Sequence, residues 1–252
     1  PNSIGHNSVR MVHQEASNTL WVGIGSIGGD DGGEDGLGGL DRLDINTGDF
    51  THFKIRSADS TSGFSHTIYD LCEDRQGYLW LAAGAGGVFR SNKEKTVFTP
   101  FTLSHPDSGI LQPIVYDVET TPEGNVWIND VEMAGDGATY EYDIGKNQLA
   151  TLLKGFEATN IIKDDNGWYW ISTWQNGIIH YNPSDRSYKN YTTEDGLSSN
   201  LATYIVSGAE AGTYWIGTRF GVCHLDAKDT IFTPVDVPVD RFYYGAFQSS
   251  QG

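Results

Sequence analysis

Apolar residues in this chain come in short runs broken by turn residues, and the runs repeat in a fixed order. Residues 166–183 read NGWYWISTWQNGIIHYNP: a glycine-led turn, a tryptophan-bearing run, a second glycine turn and another apolar run, with no helical period. In residues 66–101, HTIYDLCED is a β-rich run, RQG a turn and YLWLAA a second strand. GAGG turns again, VFRS is a third strand, NKEKT a polar turn and VFTPF a fourth strand. Residues 161–192 follow the same order.

Aligned on one tryptophan, the phrase occurs five times: NTLWVGIG at Trp21, GYLWLAAGAGGVFR at Trp80, GNVWIND at Trp127, GWYWISTWQNGIIHY at Trp170 and GTYWIGTRFGVCHLD at Trp215. The spacings are 59, 47, 43 and 45 residues, the signature of stacked repeats or propeller blades. Four short antiparallel strands per period predict an all-β fold, a β-propeller. Five four-stranded blades are expected at about 5–57, 64–104, 111–154, 155–193 and 198–238, with the start of a sixth in DRFYYGAFQSSQG, residues 240–252. The break before the sixth tryptophan slot reads as a fragment of a longer propeller chain.

The glycine three residues before the tryptophan recurs at Gly77, Gly124, Gly167 and Gly212, with Asn18 in the first repeat. A tight hairpin there calls for positive φ, which Gly and then Asn tolerate best. The repeated tryptophan is expected as a large apolar wedge between blades, with Trp80, Trp127, Trp170 and Trp215 buried at equivalent places.

LCEDRQGYLW at 71–80, IKDDNGWYWIST at 162–173 and YWIGTRFGV at 214–222 resemble the two-component regulator propeller repeat. TTEDGLSSN at 192–200 is similar to that family's linker into the next blade, and GLGGLDRLDINTGDFTHF at 36–53 to its third and fourth strands. The resemblance covers essentially the whole chain and is poorest at NDVEMAGDGATYEYD, residues 129–143. It implies a part of a seven-bladed propeller in the periplasmic or extracellular sensor region of a hybrid two-component regulator from a Gram-negative bacterium. In such regulators two propellers precede an immunoglobulin-like domain, a membrane helix and a histidine kinase, and many are tied to polysaccharide breakdown. Related propellers without a kinase serve as scaffolds of cell-surface assemblies.

Charge narrows the partners. With 16 Lys plus Arg against 33 Asp plus Glu, the formal charge is −17, which argues against nucleic acid and anionic membrane surfaces. No apolar run reaches the 18 residues of a membrane span, so direct membrane insertion is not expected. Cys72 and Cys223 occupy different places in their repeats and read as free buried thiols. No CxxC or HExxH motif is present, and no cofactor is expected.

In a four-stranded blade, the lead-in to the first strand and the turn between second and third strands share one face. Variable loops on a repeated scaffold are where binding residues concentrate. Candidate ligand- or partner-binding residues are therefore His66, Gln112 and Asn200 in lead-ins, and Trp174, Arg219 and Phe220 in second-to-third turns. The loop at 24–39 is eleven residues longer than its counterpart in the second repeat. Its Asp30, Asp31, Glu34 and Asp35 could offer oxygen ligands to Ca²⁺, but their spacing is neither an EF-hand nor a nonapeptide repeat, and a solvated loop is the preferred reading.

No catalytic motif is found, so the chain is read as non-enzymatic. The function expected is a sensor module binding a glycan or protein through its rim loops. The first alternative is a structural subunit of a cell-surface assembly, and a propeller lyase using His66 as base ranks behind both.

Overall fold

The computed structural model describes residues 2–15, 18–25, 38–55, 67–84, 86–105, 109–111, 114–121, 123–131 and 137–235. Among these, five four-stranded antiparallel sheets follow one another along the chain, each in simple sequential order. Blade 1 is β1 (Val9–Glu15), β2 (Thr19–Ile24), β3 (Gly39–Asp44) and β4 (Phe50–Phe53). Blade 2 is β5 (Asp70–Glu73), β6 (Leu79–Ala82), β7 (Val88–Ser91) and β8 (Phe98–Pro100). A two-stranded ladder, β9 (Leu103–His105) with β10 (Gly109–Leu111), comes next and has no counterpart among the expected strands.

Blade 3 is β11 (Val115–Thr120), β12 (Val126–Asp130), β13 (Ala138–Asp143) and β14 (Gln148–Lys154). It has all four strands although its sequence fits the repeat least well. Blade 4 is β15 (Ala158–Lys163), β16 (Tyr169–Thr173), β17 (Ile178–Tyr181) and β18 (Tyr188–Tyr191). Blade 5 is β19 (Ala202–Ser207), β20 (Thr213–Thr218), β21 (Gly221–Asp226) and β22 (Ile231–Val235). The architecture is that of a β-propeller, as the repeat predicts. The stretch 240–252, expected to begin a sixth blade, lies outside the described residues.

Local chemistry accounts for the turns. Gly77, Gly124, Gly167 and Gly212 have φ of +84°, +89°, +83° and +76°, and Asn18 has +43°, so the hairpin slot needs the left-handed region in all five repeats. The linker TTEDG forms one 3₁₀ turn, Thr193–Asp195. The Thr192 hydroxyl accepts from the Glu194 amide, and Asp195 accepts the Thr192 amide at 2.8 Å, a reciprocal cap that Gly196 closes at φ +108°.

The described chain divides into two compact units. The described residues within 1–130 and 140–151 form one, and those within 131–139 and 152–235 the other. In the first, Trp21 of blade 1 is fully buried with Leu40, Ile68, Leu79 and Phe89, and its ring meets Phe98 of blade 2 edge-on at 6.0 Å. Trp80 of blade 2 is fully buried with Val115, Val118 and Tyr142 of blade 3, the Tyr142 ring 5.5 Å away. In the second unit, Trp170 of blade 4 packs on Tyr214 of blade 5 at 6.0 Å within a cluster that includes Ile205 and Phe232. Each of these three tryptophans thus wedges into the blade that follows it.

Trp215 departs from the expectation. It occupies the equivalent place in β20 but is 38% exposed. Its ring neighbour is His224 of its own blade, at 4.8 Å.

A second regularity surrounds these rings. The third-strand residue opposite the tryptophan is Arg42, Arg90, His180 or His224 in blades 1, 2, 4 and 5. Arg42 lies 5.8 Å from the Trp21 ring, Arg90 4.9 Å from Trp80, and His180 stacks on Trp170 at 3.9 Å. The acidic residue closing the first strand anchors the arrangement. Glu15 accepts the Trp21 indole N–H at 3.0 Å, Asp74 accepts that of Trp80 at 2.9 Å, and Asp164 is 2.9 Å from His180 Nε2.

Candidate functional site

Three of the predicted binding residues sit on turns of the second unit whose backbones are fixed. In the turn between β16 and β17, the Trp174 amide donates to the Glu157 carbonyl at 2.9 Å and the Gly177 amide to the Asn200 carbonyl at 2.7 Å. The Thr173 hydroxyl spans the turn, donating to the Gly177 carbonyl at 2.8 Å. In the turn between β20 and β21, the Arg219 amide donates to the Leu201 carbonyl at 2.9 Å, and the Phe220 amide to the Thr218 hydroxyl at 3.3 Å. Every one of these bonds ties a second-to-third turn to a first-strand lead-in or to itself. The side chains are therefore presented on a rigid frame.

On that frame Phe220 is 58% exposed and Arg219 is exposed beside it, the guanidinium 5.4 Å from the ring, while Trp174 is half-buried. Asn200 also braces the 3₁₀ turn, its side-chain oxygen accepting the Thr193 amide at 2.8 Å. His66, Gln112, Asp30, Asp31, Glu34 and Asp35 lie outside the described residues. Among the described residues, no group of three or more His, Cys, Asp or Glu is placed to hold a metal ion.

Two features are absent from the expectations drawn on sequence. One is a cleft of about 370 Å³ at the hairpin end of blades 2 and 3, lined by Arg75, Gln76, Glu123, Asn125, Asp143 and Ile144. It lies at the end opposite the second-to-third turns, and its walls are largely solvent-exposed side chains.

The other is a set of acids on the first strands of blades 2 and 3. β5 and β11 are neighbours, and the half-buried Asp70 carboxylate accepts the Val118 amide across the seam at 3.1 Å. The buried Asp117 accepts the Asn129 side-chain amide on its Oδ2 at 2.5 Å. Burial, partly offset by the hydrogen bonds from the Val118 and Leu71 amides, pushes Asp70 up to about 6. Burial, reinforced by the charge of Asp70, pushes Glu119 up to about 7.

The register explains the placement. A bulge precedes this position in the first strands of blades 1, 3, 4 and 5, so that Met11, Asp117, Asn160 and Tyr204 share one slot, which Asp70 fills in blade 2. Asn160 does in blade 4 what Asp70 does in blade 2, its side-chain oxygen accepting the Ile205 amide at 2.9 Å. The available signal was an acid within an otherwise apolar β-run, YDLC at 69–72 and YDVE at 116–119.

Known proteins share the fold. The pattern of the family described as two component regulator propeller matches residues 62–84, the second repeat. No curated protein matches the chain. The extracellular domain of a hybrid two component system from B. thetaiotaomicron is 21% identical, with a TM-score of 0.70 over 95% of this chain and 31% of that one.

PorZ, a surface component of the type-IX secretion system of Porphyromonas gingivalis, is 15% identical, with a TM-score of 0.63 over 88% of this chain and 32% of its own. Regucalcin, a calcium-binding protein from Agrobacterium tumefaciens, is 16% identical, with a TM-score of 0.62 over 91% of this chain and 74% of its own. The chain spans about a third of the length of the first two. It is a β-propeller, and its residues 62–84 match the pattern of the two component regulator propeller family. Among the described residues no helix is long and apolar enough to cross a membrane.

Proposed function

We propose that the chain is a non-enzymatic module of the extracytoplasmic sensor region of a two-component system in a Gram-negative bacterium. It binds a glycan or protein through Trp174, Arg219 and Phe220, with Asn200 bracing the loop behind them. The observation that carries this reading is the exposed Arg219–Phe220 pair near one end of a blade, on a turn whose Arg219 and Phe220 amides are both hydrogen-bonded. A planar ring with a guanidinium beside it offers stacking to a sugar face and donors to its hydroxyls, or an anchor for a protein. His66 and Gln112 are expected to contribute from the corresponding lead-ins.

The test measures binding and thermal stability together, in Trp174→Ala, in Arg219→Ala and in a chain lacking residues 27–36. Lost binding to candidate glycans or co-purified partners at unchanged Tm is the expected result. Full binding in all three places the site elsewhere, the hairpin-end cleft being next in line. A calcium site at Asp30, Asp31, Glu34 and Asp35 predicts a rise in Tm on Ca²⁺ addition that chelator reverses.

A second reading, a subunit of a cell-surface assembly, is supported by the likeness of the fold to PorZ, a surface component of a type-IX secretion system. It predicts a stable protein complex that Phe220→Ser weakens while glycan binding is absent.

A further inference from the structure

We propose that Tyr69 and Tyr116, with Arg10 beside them, form a site that takes one ring of a neutral saccharide. It lies at the end of blades 2 and 3 that carries the second-to-third turns. It is built from residues of blades 1 to 3 alone and owes nothing to the turn that carries Arg219 and Phe220.

A bulge in a first strand leaves one residue without a partner of its own, and bulges re-aim the side chain they carry. That residue is Arg10 in blade 1, Tyr116 in blade 3, Thr159 in blade 4 and Thr203 in blade 5, and Tyr69 stands in the same place before Asp70 in blade 2. In blades 4 and 5 a small hydroxyl fills the slot and is absorbed by the backbone. Thr159 donates to the Ala202 carbonyl at 2.9 Å, and Thr203 to that of Gly217 at 3.3 Å. The fold needs no more than this. Blades 1 to 3 place an arginine and two tyrosines there, and the strand ladder does not account for their size.

The two rings meet edge to face across the seam between blades 2 and 3, with centroids 4.5 Å apart and planes at 70°. Both lie against Gly84, in the second-to-third turn of blade 2, where a Cβ would fall 2.8 Å from Tyr69 Cε2 and 3.7 Å from Tyr116 Cε1. Gly84 in turn is bonded to Val115 in both directions, its amide to the carbonyl at 2.8 Å and its carbonyl to the amide at 3.0 Å. The platform is fixed from below, and both rings are only half-buried. Arg10 is steadied by the bond from its Nε to the Gly25 carbonyl at 2.9 Å. Burial holds the Tyr69 phenol up at about 12, against the pull of the nearby Arg10 charge, so its hydroxyl stays protonated across the neutral range.

A sugar ring has a face of C–H bonds and an edge of hydroxyls. Tyrosine rings offer an apolar surface to the first and a phenol O–H to the second, and a guanidinium adds donors for the sugar oxygens. Charge narrows the class. A chain of formal charge −17 repels an acidic glycan at long range, so the saccharide is a neutral one.

The test uses the intact chain with fluorotyrosine in place of tyrosine, titrated in turn with oligosaccharides of glucan, xylan, mannan, arabinan and galactan. Tyr69→Phe and Tyr116→Phe assign the two fluorine resonances. At least one oligosaccharide shifts both, and Tyr69→Ala or Tyr116→Ala weakens its binding about tenfold, the scale of one lost aromatic contact. The Phe variants, which keep the ring and lose the hydroxyl, weaken it less. Arg10→Gln weakens it too, and keeps the result readable where an Ala variant fails to fold. No shift at either tyrosine with any of these sugars overturns the site, as does unchanged affinity in the folded variants. A sugar whose binding Trp174→Ala abolishes while both tyrosines stay still supports the other turn alone, and a polyproline peptide that shifts the tyrosines where no sugar does makes the partner a protein. Either result also overturns the proposal.

Discussion

At the residue scale, a side chain's place in the repeat decides its direction, and its neighbour decides its burial. Trp80 and Trp215 occupy one slot, yet one is fully covered and the other 38% exposed. Replacing Trp80 with Ala should cost about 3 to 5 kcal/mol, as for other buried aromatic truncations, whereas Trp215→Ala should cost well under half of that. Urea unfolding of the two variants checks the contrast, and equal losses contradict it. The buried tryptophans were legible in the sequence because size, aromaticity and period all point inward. The bond from the Val118 amide to Asp70 was not, because an acid in a β-run looks the same whether it meets water or the next blade. Nor was the dual role of Asn200, since a lead-in asparagine carries no sign that its side chain braces a turn. Arg90 and His180 left a visible trace, a basic or imidazole residue two places into the third strand, which attention to the turns alone passes over.

At the element scale, turns that look alike in sequence differ in what they tolerate. Gly212 has φ +76° and nothing within 4 Å of a would-be Cβ, so Gly212→Ala incurs only the backbone penalty, about 1 kcal/mol. Gly177 has φ +79°, and a Cβ there falls 2.1 Å from the Tyr191 carbonyl oxygen, so Gly177→Ala should cost about 3 kcal/mol or more. Thermal unfolding of both variants tests the difference, and a Gly177→Ala chain as stable as Gly212→Ala refutes it. Strands were legible wherever the tryptophan phrase occurs. The β9–β10 ladder was missed because LSHPDSGIL carries no such phrase and a proline interrupts it. Blade 3 kept its outer strands without the family's glycines, because TYEYD still alternates apolar and polar positions, with Tyr142 turned into the Trp80 cluster.

At the scale of the whole molecule, a formal charge of −17 sets the background for every contact. Self-repulsion opposes compactness, so raising ionic strength from about 10 mM to about 150 mM shortens the screening length threefold or more and should raise Tm by several degrees. A Tm that falls with added salt would show that attractive ion pairs, such as Lys95 with Glu15 and Glu73, outweigh the repulsion. The order of blades was legible because it depends on period alone, whereas the binding face was legible only as a list of variable turns. The bonds from Val118 to Asp70 and from Ile205 to Asn160 join neighbouring blades through a side chain on one partner and only the peptide backbone of the other. Such a joint makes no demand on the identity of residue 118 or 205 beyond an N–H, which any residue except proline supplies. Each blade can then drift in sequence, or be exchanged for a foreign copy, without its neighbour changing in step.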